Sequence, residues 1–199
     1  MTRYSVPIIG LCGAISSGKD TLASKLSYAG FKRYKFADPL YAMASALDPA
    51  FHPNMSHSAK ASYLLDTAVF GTRRNFLQQL GTEFLRNTIN EDFFLLHMKD
   101  AILTHLNDYP TMGIVISDVR FENEANLIRD MGGAIIHLKP DWECPTSDHA
   151  SDQAVPYAKG DSILGLRYGQ PDLGHRMLLE LIEDTFGRND GPIFNLSRG

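Results

Sequence analysis

Cysteine is scarce in this chain. There are two in 199 residues, Cys12 in an apolar stretch and Cys144 in a polar one, which excludes a disulfide framework and points to free thiols in a reducing compartment. An excess of positive charge is also missing. The 19 Lys and Arg against 23 Asp and Glu leave a formal charge of -4, so bulk electrostatics do not favour DNA or RNA as a partner. Any anion site has to be a local cluster. No apolar run approaches the roughly 18 to 20 residues of a membrane span. Arg3 and the apolar stretch to Ile15 have the outline of a signal peptide, but cleavage there would destroy the motif described next. Internal repeats and low-complexity tracts are absent as well. The expectation is a soluble, cytoplasmic protein with no nucleic-acid or membrane partner.

What is present suits a core of ordinary size, with hydrophobic residues making up 44% of the chain and one domain expected over residues 1–199. Its organising stretch is Gly13-Ala14-Ile15-Ser16-Ser17-Gly18-Lys19-Asp20-Thr21. An apolar run, Val6 to Cys12, precedes it and Leu22-Ala23-Ser24-Lys25-Leu26 follows. Strand, glycine-bounded loop and helix in that order make a phosphate-binding loop. Glycines let backbone N–H groups converge on phosphate oxygens, the helix N-terminus adds positive dipole and Lys19 adds a point charge. The loop predicts a bound nucleotide, held by Gly13, Ala14, Ser16, Ser17, Gly18, Lys19, Asp20 and Thr21. The common pattern places Ser or Thr after the lysine to bind magnesium, and here that residue is Asp20. Asp20 and Thr21 both stay open as the metal ligand.

Phe31 to Phe36 alternates aromatic and basic residues and reads as a short strand whose Lys32, Arg33 and Lys35 form a solvated face. Asp38 is placed to cap a helix over Leu40 to Leu47, with Pro39 in its first turn. The loop from Asp48 to Ser58 carries His52 and His57, too sparse a pattern for a metal. Thr72 is placed to cap a helix from Arg73 to about Asn87, with Phe76, Leu77, Leu80, Phe84 and Leu85 inward and Gly81 marking a close approach. Asn90 then caps a helix to about Asn107, where Phe94, Met98, Ala101, Ile102 and His105 recur at helical spacing.

The apolar strand from Met112 to Ser117 ends in Asp118-Val119-Arg120. An acidic residue at the end of a buried strand, downstream of a phosphate loop, is where such folds place the carboxylate that holds the magnesium hydration shell. The alternative is that Asp118 caps the helix opening at Phe121. That helix points Ala125, Leu127, Ile128 and Met131 inward and leaves Glu122 and Glu124 for solvent. A strand over Ala134 to Leu138 completes another βαβ unit, so the fold is α/β with a parallel sheet between helical layers. From about 139 to 170 the chain turns polar and lid-like, with a returning strand at Asp161 to Leu166. A last helix, Leu173 to Phe186, carries Leu173, Met177, Leu178, Leu181, Ile182 and Phe186 on one side.

Five blocks give these pieces a family resemblance: Ser17-Gly18-Lys19-Asp20-Thr21, Phe36-Ala37-Asp38-Pro39-Leu40, Phe76 to Glu83 with Arg86, Ser117 to Ala125, and Asp148-His149-Ala150-Ser151-Asp152. Together they resemble the deoxynucleoside monophosphate kinases of bacteriophages, within the P-loop nucleoside monophosphate kinase fold. The last block ends in Asp152 where that family commonly has Glu, and the chain after residue 153 resembles it only loosely.

The resemblance implies a three-layer αβα P-loop kinase fold, a helical acceptor-binding region at about 38–110 and a lid at about 139–170. It implies transfer of the ATP γ-phosphoryl to a deoxynucleoside monophosphate with Mg²⁺. Lys19, Asp118 and Arg120 would be catalytic, with the metal on Asp20 or Thr21 and Asp118. Arg74, or its neighbour Arg73, would hold the acceptor with Asp38, Gln79, Thr82, Glu83, Arg86 and Arg120; His149, Arg167 and Arg176 would serve the lid. A homodimer and a location in host cytoplasm are compatible with it. The rival readings are a kinase of another small phosphorylated acceptor, of the dephospho-coenzyme A or phosphomevalonate type, and a nucleotide-dependent binding switch.

Overall fold

The computed structural model describes residues 6–53, 55–66, 71–145 and 155–187. They fall into two units, one comprising Met1–Lys35 with Lys99–Gly199 and the other Phe36–Met98.

The first unit is built on a five-stranded sheet in the order β2-β3-β1-β4-β5. The strands are β1 (Ile8–Cys12), β2 (Phe31–Tyr34), β3 (Gly113–Ile116), β4 (Ala134–Pro140) and β5 (Ser162–Leu166). Every pairing is parallel, as in Ile9 opposite Val115 and Leu11 opposite Ile136. Parallel central strands are covered on both faces and so read as continuous apolar runs. β1 and β3 are buried at every position. Helices α1 (Lys19–Tyr28), α6 (Glu122–Asp130) and α7 (Pro171–Phe186) belong to this unit. Leu22, Ala23 and Leu26 of α1 and Leu178 and Ile182 of α7 share one core with Ile9, Leu11, Val115 and Ile136. Met177 of α7, expected inward, is exposed because the buried line runs Gly174, Leu178, Ile182.

The second unit is helical. It contains α2 (Asp38–Leu47), α3 (His57–Ala61), α4 (Arg73–Gln78) and the start of α5 (Phe93–Asp108), the helix that carries the chain back to the first unit. Thr72 caps α4 as expected, its hydroxyl accepting from Asn75 N at 3.2 Å. Asp38 is not a cap: Ala37 holds that position and Asp38 lies inside the first turn of α2.

Beyond Gln78 the expected α-helix widens into a π-wound segment, Gln79–Ile89. Asn90 N accordingly reaches Leu85 O at 2.9 Å, five residues back. Wider winding turns each later residue backward relative to an α-helix. Leu77 and Leu85 are buried as expected, but Arg86 now faces inward with Gly81, while Phe84, expected in the core, is exposed. A Cβ on Gly81 would lie 2.9 Å from Leu40 Cδ2, so the glycine lets α2 close on this segment.

Candidate active site

Between β1 and α1 the chain has room only for a tight loop, and its glycines make that loop possible. Gly18 has φ 93° and Gly13 φ 150°, and a Cβ on Gly13 would approach Ser17 Oγ to 2.9 Å and Leu138 O to 3.0 Å. Side-chain-bearing residues adopt such backbone only at a cost. Ser17 is fully buried beneath the loop, whereas Ala14 and Ser16 are exposed on it.

Lys19 folds back over the loop. Its Nζ donates to Gly13 O at 2.8 Å, Ala14 O at 2.6 Å and Ser17 Oγ at 3.3 Å. Its pKa is lowered to about 8, first by burial and next by the positive charge of Arg120, with Asp20, Cys12 and Asp118 opposing the shift. The sheet order explains that company, since β3 lies beside β1 and its carboxyl end delivers Asp118 and Arg120 to the loop.

Asp118 is half-buried, and the helix that follows is capped without it. Phe121 is the cap residue, and the carboxylate of Glu124 accepts from Arg120 N at 2.8 Å and Phe121 N at 3.2 Å. That use explains why Glu124, expected in solvent, is 1% exposed.

Arg33 and Lys35 overturn the solvated face expected for β2. Arg33 donates to the carboxylate of Asp20, to Ser117 Oγ at 3.1 Å and to Ser24 Oγ at 3.2 Å. Lys35 Nζ lies 3.2 Å from Asp20 Oδ1. Partial desolvation beside the loop tends to raise the pKa of the largely exposed Asp20, but the charges of Lys35 and Arg33 hold it below the ordinary carboxylate value.

Further along the loop edge, Trp142 donates from Nε1 to Ser16 O at 3.2 Å, and its ring comes within 4.0 Å of where a Gly18 Cβ would stand. Tyr168 meets it edge-on with ring centroids 6.0 Å apart. Sequence reasoning missed both, although a tryptophan just past a strand end in a polar stretch was a usable signal.

Beneath the loop lies a chain of buried and half-buried polar groups with no sequence signal at all. Cys12 Sγ is 3.2 Å from His137 Nδ1, and His137 Nε2 is 2.9 Å from Asp161 Oδ2. Asp161 also accepts from Arg129 Nε at 3.0 Å, Arg129 Nη2 at 2.7 Å and Ala158 N at 2.9 Å. Burial opposes ionisation of Asp161, but the Arg129 hydrogen bonds, followed by those of Ala158 and His137, keep its pKa low. An ionised carboxylate only accepts, so His137 carries its proton on Nε2. Burial, then Asp161, pushes the Cys12 thiol up to about 12. The thiol is therefore a packing group and not a nucleophile.

Of the remaining expected residues, Arg167 and Arg176 are exposed, just after β5 and on α7, and Thr21 is exposed on α1. His149 lies outside the described residues. In the second unit Asp38 is in α2, Arg74 in α4, and Gln79, Thr82, Glu83 and Arg86 in the π-wound segment. The Arg86 guanidinium carbon sits 4.8 Å above the Phe94 ring. Arg73 is buried and holds Asp48, which sets it apart from Arg74.

Among the described residues no three His, Cys, Asp or Glu side chains gather as a metal site. Asp20 and Asp118 are hard oxygen donors whose charges both act on Lys19. That set fits Mg²⁺, which takes one or two carboxylates and completes its shell with water and substrate phosphates.

A lysine-bearing loop after the first strand of an all-parallel sheet, with an acid and an arginine arriving from the next strand, defines a P-loop phosphotransferase. Sequence relatives narrow the class. A family model described as deoxynucleotide monophosphate kinase matches residues 61–166. A protein of Acanthamoeba polyphaga mimivirus described as a deoxynucleotide monophosphate kinase is 33% identical over 79% of this chain and 86% of its own. The deoxynucleoside-5'-monophosphate kinase of Escherichia phage T5 is 26% identical over 75% of this chain and 85% of its own. The chain belongs to the deoxynucleotide monophosphate kinase family. A solved sugar kinase from Janibacter sp. HTCC2649 covers 89% of this chain and 95% of its own at a TM-score of 0.45 and 14% identity, too distant a likeness to bear on function.

Proposed function

We propose that the protein transfers the γ-phosphoryl group of ATP to the 5'-phosphate of a deoxynucleoside monophosphate, giving the diphosphate and ADP. The observation that carries the reading is the convergence on Lys19 of Arg120 and Asp118 from the end of β3. An acceptor phosphate oxygen is already anionic at neutral pH, so the reaction needs no serine nucleophile or histidine base. That oxygen forms a bond to the γ-phosphorus as the bond to the β,γ-bridging oxygen breaks, and the electron pair leaves on ADP. What the protein supplies is alignment and charge compensation.

Lys19 exchanges its carbonyl partners Gly13 O and Ala14 O for β- and γ-phosphate oxygens. Arg120 bridges donor and acceptor, its planar fork suited to phosphate oxygens. Asp20 or Thr21, with Asp118, would hold Mg²⁺, which supplies Lewis-acid polarisation of the phosphoryl oxygens when bound. Arg74 and Arg86 take the acceptor phosphate, and Asp38, Gln79, Thr82 and Glu83 hydrogen-bond its sugar or base. Arg167, Arg176 and His149 serve the lid. Substrates of this kind place the enzyme in the cytoplasm of the cell that supplies them.

A coupled assay of ATP consumption against a panel of deoxynucleoside monophosphates, AMP, dephospho-coenzyme A and phosphomevalonate tests the reading. Turnover is expected with at least one deoxynucleoside monophosphate, and turnover with none overturns it.

A further inference from the structure

We infer that Trp142 is a positioning residue for the phosphate loop: its indole N–H holds Ser16 in a left-handed backbone conformation that the polyphosphate site needs and that serine does not favour. The inference rests on the reading above that this loop binds the donor's polyphosphate.

Ser16 is the strained point of the loop. Its φ is 62°, and among the described residues only Leu65 shares a positive φ without being glycine. Around it the sign of φ alternates, negative at Ile15 and Ser17 and positive at Ser16 and Gly18. Alternation of this kind turns successive backbone N–H groups to one side and makes a concave anion cradle. Gly18 takes up its part freely, whereas the Cβ of a serine crowds its own backbone there and makes the left-handed state a minor one. Such a residue persists only where its surroundings hold it.

The hold comes from the end of β4. Trp142 Nε1 donates to Ser16 O at 3.2 Å, so it fixes the peptide that leaves the strained residue. Lys19 does not compete for that oxygen, since its Nζ bonds Gly13 O, Ala14 O and Ser17 Oγ. The cradle is therefore held before the donor arrives and while Lys19 changes partners.

The indole is itself fixed. β4 lies beside β1, with His137 opposite Cys12, and continues to Pro140, which brings Trp142 to the loop edge. Its ring packs against the core that contains Leu22 and Leu166. Asp141 N donates to Leu166 O at 2.9 Å, and Asp141 Oδ1 accepts from Tyr168 N at 2.8 Å. These two bonds tie the exit of β4 to the exit of β5, and Tyr168 meets the indole edge-on.

Without the indole N–H, Ser16 would leave the left-handed state more often, and apparent affinity would fall with the fraction of loops ready to bind. The loss would fall on the phosphates and not on the base.

The test is calorimetric titration of ADP and of inorganic tripolyphosphate, each with Mg²⁺, into the native enzyme and Trp142→Phe, with circular-dichroism melts certifying that the variant is folded. Both ligands are expected to bind about five- to tenfold more weakly to Trp142→Phe, the effect of one lost hydrogen bond. In a Ser16→Gly background, where the left-handed state needs no holding, Trp142→Phe is expected to cost less than about twofold. A tryptophan that served only the stability of the fold would cost the same in both backgrounds. Ser16→Val, which leaves Trp142 in place but resists a positive φ, is expected to weaken tripolyphosphate binding at least about tenfold. Unchanged affinities in Trp142→Phe, equal losses in the two backgrounds, or undiminished binding by Ser16→Val overturns the inference. A loss confined to ADP also overturns it, because the ring would then serve the base. A native enzyme that binds neither ligand would instead remove the reading of the loop on which the inference rests.

Discussion

Arg73 and Asp48 are committed to each other inside the helical unit: Arg73 Nε and Nη2 both donate to Asp48 Oδ2, at 2.9 and 2.7 Å. A third donor, Nη1, goes to Ser62 Oγ at 2.5 Å. Both side chains are 9% exposed. Removing one partner of such a pair strands the other, which costs about 3 kcal/mol or more. Arg73→Ala should therefore lower Tm sharply. Arg74→Ala, half-buried next door, should leave Tm nearly unchanged and raise KM for the acceptor. Thermal melts and steady-state kinetics of the two variants distinguish a scaffold arginine from a substrate arginine. Equal Tm losses would show that Arg74 is structural too.

Lys19→Ala should abolish turnover. In the native enzyme Lys19 titrates at about 8 because it is buried and faces Arg120. Polyphosphate binds the charged form, so ADP affinity should fall as pH rises through 8. Binding near pH 8 should also take up roughly half a proton, since an anion at Nζ raises its pKa. Calorimetry in buffers of different ionisation enthalpy measures that uptake. Proton release on binding would contradict the assignment.

Arg120 is expected to act on the migrating phosphoryl and not on ground-state nucleotide. Arg120→Ala should lower kcat on the order of 100-fold, as loss of one transition-state donor does, with a much smaller change in ADP affinity. A variant with wild-type kcat would remove Arg120 from the chemistry.

The single tryptophan reports on the loop. Because Trp142 Nε1 bonds Ser16 O, any adjustment of the loop around a polyphosphate changes the indole environment. Tryptophan emission should shift saturably on titration with ADP, with the midpoint found by calorimetry. Trp142→Phe removes that signal and should cost about 1 kcal/mol of stability with the hydrogen bond. Unaltered emission at saturating ADP would mean the loop binds without moving there.

Asp161 gives the fold an acid limit. Its pKa in the folded protein lies below the ordinary value, so the stability it contributes is fully present above the unfolded pKa of about 4 and is lost as pH falls through the folded one. Urea midpoints measured from pH 6 to pH 3 should fall for the native protein. Asp161→Asn should be less stable at pH 6 and show a flatter decline. Parallel curves would place the acid sensitivity elsewhere.

The strand–loop–helix setting of the lysine was legible in the chain. Gly13 to Thr21 sits between an apolar run and an amphipathic one, and the wholly buried runs of β1 and β3 announce a parallel sheet covered on both sides. Local pattern also put Asp118 just past the end of a buried strand, where it stands after β3. It failed where winding changed: an α-helical repeat puts Phe84 inward and Arg86 outward, and the π-wound segment reverses them. It failed again at Glu124, whose carboxylate serves the backbone of the preceding turn.

The sequence by itself determined the phosphate loop, the alternation of strand and helix and the likeness to a kinase family, because each is written in neighbouring residues. Only the tertiary structure decided which charges are already spoken for. Arg33 meets Ser117 across 84 positions because β3 separates β2 from β1 in the sheet. His137 meets Cys12 across 125 positions because β4 lies beside β1. A charged side chain has the same letter whether it faces water, a carboxylate or a substrate. What distinguishes these is the distance to its partners, which strand order sets and sequence adjacency does not.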